Sequence, residues 1–137
     1  MHNHKPSLKS FRMTKNSSEK IEEINKYTKL SKTIIIRAAF NLGFKELNGY
    51  KSDLSIRMAA FHSDSTAKVG DVSNLRITKI QEQATLNSRT YRAIGYSASC
   101  RLFIWFGFLN LLHNKINVLS KEDFINYVLT NSFREVK

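Results

Sequence analysis

Residues 8–44 read LKSFRMTKNSSEKIEEINKYTKLSKTIIIRAAFNLGF. Residues 7–14 alternate, with Leu8, Ser10, Arg12 and Thr14 on one side and Lys9, Phe11 and Met13 on the other, so the spacing predicts a strand. A lone strand of this length is not stable in water. Its partner is either the same strand of a second subunit or another segment of this chain. An amphipathic helix is expected next, capped by Asn16 or Ser17, with Glu19 in its first turn. Ser17, Ile21, Ile24 and Thr28 form its inward stripe, and Glu22, Glu23, Asn25 and Lys26 face out. Lys29, Leu30 and Ser31 make a turn, and Ser31 is a good N-cap for a second helix over 32–45. Ser31, Lys32 and Thr33 then place backbone N–H groups, a hydroxyl and an ammonium together. That arrangement suits a phosphate, and equally an ordinary capped helix with an exposed lysine. Ile34, Ile35, Ile36, Ala38, Ala39, Phe40, Leu42 and Phe44 cover most of the second helix. Such a helix is buried on several sides. Either a subunit interface or the C-terminal helices must cover it, and the first option predicts a homo-oligomer, dimer or tetramer.

Strand, helix, turn, helix is the order of the ribbon-helix-helix fold. The expected fold class is therefore mainly α: a ribbon-helix-helix-like N-terminal strand and helix pair, packed with C-terminal helices. One domain is expected over 1–137, with that unit at 7–45, a loop-rich insertion at 46–75 and a helical remainder at 76–137. Within the insertion, Asn48-Gly49 marks a turn, Asp53 starts a short helix and HSDSTAKVGDVSN reads as loop. Leu75, Ile77 and Ile80 fit either a short strand or a helix start. A long buried helix is expected at 93–114, on Ile94, Ala98, Leu102, Trp105/Phe106, Leu109 and Leu112. A last helix opens at Ser120 with a capping-box pattern and continues through Phe124, Tyr127, Val128 and Phe133.

The formal net charge is +11 and the pI about 10.0. Ten of the basic residues but only three of the acids lie in 1–45. A surplus concentrated in this way attracts polyanions. The basic residues placed to hold a DNA backbone are Lys9, Arg12, Lys15, Lys29, Lys32 and Arg37. Lys32 stands out because it begins a helix. Arg37 has a second reading, an ion pair with an acid such as Glu23. Arg89, Tyr91 and Arg92 fit either a phosphate-and-base contact or a plain rim patch. The single cysteine, Cys100, excludes an internal disulfide and a cysteine-based zinc site, and fits a reducing compartment. His2, His4, His62 and His113 are scattered, and no phosphate-binding glycine loop, nucleophile elbow or dinucleotide fingerprint is present. No cofactor, metal or catalytic residue is expected. The N-terminus lacks an apolar signal core, and the run LFIWFGFLNLL (102–112) is about half of the ~20 residues needed to span a bilayer. A cytoplasmic protein with no membrane partner is the expectation.

Residues 12–40, RMTKNSSEKIEEINKYTKLSKTIIIRAAF, resemble the N-terminal region of the DNA sulfur modification protein DndE family. The matching positions are Arg12, Thr28, Leu30, Ser31, Arg37, Ala38 and Ala39, and the resemblance covers about a quarter of the chain. The family's downstream Asn-Arg-Tyr-Thr-like segment is replaced here by Asn87-Ser88-Arg89-Thr90-Tyr91. The resemblance implies a small, bacterial, homo-oligomeric DNA-binding protein of the DNA phosphorothioation machinery, without catalytic activity of its own. It would bind double-stranded DNA, intact or nicked, beside other DNA sulfur modification proteins. These are a cysteine desulfurase, an iron–sulfur protein and an ATPase. The alternatives are a ribbon-helix-helix repressor or antitoxin that reads base edges, and an interaction scaffold with an incidental basic surface.

Overall fold

The computed structural model describes residues 11–48, 52–65, 69–72 and 77–133. The chain is mainly helical, with one short antiparallel ladder. β1 (Arg12–Thr14) leads directly into α1 (Lys15–Thr28). Thr14 caps α1, its hydroxyl accepting from Ser17 N at 3.2 Å, so the helix starts earlier than Asn16 or Ser17 and Glu19 lies beyond its first turn. The stripe Ser17, Ile21, Ile24 and Thr28 is buried as the spacing requires.

β1 pairs with β2 (Val69–Val72) of the same chain, Arg12 opposite Val72 and Thr14 opposite Val69, with a bulge between. Of the two partners open to the first strand, the intramolecular one is present. Phe11 and Met13 turn inward, and both are buried. The stretch read as loop-rich insertion holds β2 and a 13-residue helix, α3 (Asp53–Ser65). α3 starts at Asp53 as expected and runs on to Ser65, into the residues read as loop, whereas β2 has no strong strand pattern and pairs with β1. The turn expected at Asn48-Gly49 extends outside the described residues, as do Leu8, Ser10, Leu75, His2, His4 and the side chains of His62 and His113.

α2 (Lys32–Leu47) is the central element. Ser31 caps it, accepting from Ile34 N at 3.3 Å. Its demand for cover is met within the chain by α6 (Tyr96–Leu109) and α7 (Lys121–Phe133). The inference of an oligomer from α2 therefore loses its basis. α2 and α6 approach so closely that neither Gly43 nor Gly107 has room for a side chain. A Cβ on Gly43 would overlap the Phe103 carbonyl, and one on Gly107 the Ala39 carbonyl. Phe40, Phe44 and Phe103 interlock beside this crossing, with ring centroids 5.1–6.0 Å apart.

Buried amides tie the remaining elements to α2. α4 (Lys79–Leu86) starts with a capping box between Thr78 and Gln81, so Ile77 and Thr78 lead into a helix. Gln81 Nε2 donates to Asn41 Oδ1 at 2.9 Å and to Arg37 O at 3.2 Å. Asn41 Nδ2 donates to Asn131 O on α7 at 2.7 Å.

The long helix expected at 93–114 is broken. α5 (Arg89–Ile94) ends at Gly95, whose φ of 86° only glycine adopts readily. α6 follows, then a π-helical turn (Asn110–Lys115). That break rotates the buried set to Leu102, Phe103, Ile104, Phe108 and Leu111, leaving Ile94, Ala98, Trp105, Phe106 and Leu109 half-buried. α7 opens as expected, Ser120 Oγ accepting from Asp123 N at 3.1 Å. Phe124 and Val128 are buried, whereas Phe133 is exposed.

Candidate nucleic-acid interface

The α1–α2 turn is the best-defined basic feature. α1 ends with Lys29 in the left-handed region, φ 63°, its N–H bonded to Asn25 O at 2.8 Å. Among the described residues no other non-glycine side chain sits at positive φ. Asn25 Nδ2 donates to Leu30 O at 2.7 Å. Thr28 Oγ1 donates to Ile24 O at 2.7 Å and accepts from Leu30 N at 3.2 Å. Leu30 packs against the core, so the turn is held from below. Lys29 is thereby displayed at its tip, exposed, between Lys26 in the last turn of α1 and Lys32 at the start of α2.

Lys32 is not bare. Its ammonium pairs with the Glu22 carboxylate one turn before Lys26. That hydrogen bond from Lys32, and the charges of Lys32 and Lys26, hold the Glu22 carboxyl below its ordinary range. Any phosphate that binds Lys32 must displace or share it with Glu22.

The other expected residues separate from this turn. Lys15 is exposed at the opposite end of α1, which at 14 residues is about 20 Å long. Arg12 lies in β1 next to Lys15, and its side chain, like all of Lys9, is outside the described residues. Arg37 is half-buried on α2, its Nε shielded from solvent with no hydrogen-bond partner, and it forms no pair with Glu23. Burial pulls its pKa down from the usual arginine value. Of the six residues, the structure thus brings together Lys29 and Lys32, sets Lys15 apart beside β1, and turns Arg37 partly inward. Lys26 joins the turn group although its position at the outer face of α1 was its only signal.

Cys100 is buried, and burial pushes its thiol up to about 12, so it is a protonated packing group at neutral pH. Among the described residues, no group of three or more His, Cys, Asp and Glu side chains is arranged to hold a metal ion. No described helix is long and apolar enough to cross a membrane. No family model matches the chain, and neither a curated protein nor a solved structure does.

Proposed function

We propose that this protein binds duplex DNA through its backbone and acts as a non-catalytic accessory subunit in DNA sulfur modification. The observation that carries the reading is the α1–α2 turn, where a lysine is kept in a left-handed conformation that glycine would adopt at lower cost. A strained residue held by its surroundings points to a use for its side chain. Here the side chain is a cation presented between two others. The net charge of +11 supplies the long-range attraction, and contacts of this type position a protein on DNA without reading sequence. The order β1–α1–α2 supports a ribbon-helix-helix-like unit, and the resemblance of residues 12–40 to the DndE family supports the setting.

Backbone contact is favoured over base-edge reading by the strand itself. β1 is three residues long, Met13 and Thr14 are buried, and β2 of the same chain takes up one of its edges. A ribbon of that size offers base edges little surface.

The test is a titration of purified protein against random duplexes at two salt concentrations, with Lys29→Glu/Lys32→Glu beside the parent. Expected are salt-sensitive binding, no preference among sequences, and a loss in the variant that is equal for every duplex. A preference of about 10³ or more for one operator would favour the repressor. Absence of salt-sensitive binding would leave the scaffold reading.

A further inference from the structure

The corner between α3 and α5 carries a second surface, of different chemistry. Leu54, Met58 and Phe61 recur along α3 and are 67%, 55% and 72% exposed. The inward face of the same helix holds Ile56, which is buried, and Ala59 and Ala60, which pack on the core. Arg57 Nε donates to Ala93 O at 3.4 Å. The guanidinium therefore lies over the short helix that carries Arg89 and Arg92, both exposed. Tyr91, 37% exposed, sits between them in sequence. Phe61 is one turn of α3 from Arg57, a rise of about 6 Å.

Arginines supply the cations named at this corner, and lysines those at the α1–α2 turn. The difference matters, because an ammonium is a hydrated point charge while a guanidinium is planar and stacks on aromatic faces. An apolar and aromatic strip beside Arg57, on a helix packed against the one that carries Arg89 and Arg92, asks for an anionic partner that also presents flat apolar faces. A duplex hides its base faces. A second copy of this chain would bring Arg57, Arg89 and Arg92 against their own kind. A single strand has both the charge and the open bases.

The geometry points to a single-stranded nucleic acid site on this corner, with bases on Phe61 and Tyr91 and phosphates on Arg57, Arg89 and Arg92. Leu54 and Met58 extend the apolar strip. This site shares no residue with the duplex surface and does not depend on it.

The experiment measures binding of the full chain to a short oligothymidylate, to a duplex of equal length and to phosphatidylserine vesicles. Phe61→Ala/Tyr91→Ala is expected to weaken oligothymidylate binding about tenfold or more while keeping duplex affinity. Thermal melts of parent and variant confirm that both fold, since the two side chains are at the surface. Unchanged oligothymidylate affinity in the double variant overturns the site, and so does parent protein that binds vesicles but not oligothymidylate. Binding of oligothymidylate without binding of duplex would sink the duplex reading and leave this one standing. The converse would do the opposite.

Discussion

Lys29 separates what the fold wants from what a ligand wants. A non-glycine residue in the left-handed region costs about 1–2 kcal/mol in backbone terms, and the Asn25 and Thr28 hydrogen bonds keep it there. Lys29→Gly should therefore stabilise the protein, by about 0.5–1 kcal/mol once the looser unfolded chain is counted, while weakening duplex binding. Urea unfolding and a DNA titration on the same variant check both signs. A variant less stable than the parent would show that the lysine side chain supports the fold. Glu22 gives the complementary case. Its carboxyl is held below the usual range by the Lys32 hydrogen bond, so what the pair contributes to stability is present above the unfolded-state pKa and is lost as pH falls through the depressed one. The pair is exposed to solvent, where such contacts contribute little. Glu22→Gln should leave the melting temperature near that of the parent and release Lys32. Duplex affinity is expected to rise, with a salt dependence steeper by about one counterion. Equal affinity before and after would remove Lys32 from the interface.

At the level of elements, the α2–α6 crossing decides the architecture. Glycine inside a helix is about 1 kcal/mol worse than alanine by propensity, so Gly43→Ala or Gly107→Ala in an uncrowded helix would stabilise. Here each added methyl meets a carbonyl of the facing helix. The helices must separate, and the loss is expected near or above the ~3 kcal/mol upper range for overpacked cores. Chemical denaturation of the two variants checks it, and a stabilised variant would show that the crossing is looser than described. Much of this level was legible in the sequence. The stripe of α1, the Ser31 cap, the span of α2 and the Ser120 start of α7 followed from spacing and capping chemistry. What was not legible depends on partners distant in the chain. β2 has no strong strand pattern and exists by pairing with β1. The phase of α6 was lost because Gly95 resets it. In the candidate site, the positions of Lys29 and Lys32 were readable from the turn. The ion pair of Lys32, the inward placement of Arg37 and the contribution of α3 to an arginine cluster all required the tertiary structure.

For the molecule as a whole, the apolar circumference of α2 is satisfied by α6 and α7 of the same chain. We predict that folding needs no second subunit. The thermal midpoint is expected to be independent of protein concentration, whereas obligate oligomers shift by mass action. A midpoint that rises with concentration would restore the subunit interface. The order in which α2 receives its cover has its own consequence. α2 is complete at Leu47, and α7 ends at Phe133. At translation speeds of about 5–20 residues per second, the ribosome needs roughly 4–17 s to make the stretch between them. For the first part of that interval, until α6 is made, the nascent chain displays the broad apolar face of α2 with only α1 to cover it. A chaperone waiting at the exit tunnel would meet this helix before its own C-terminal half does.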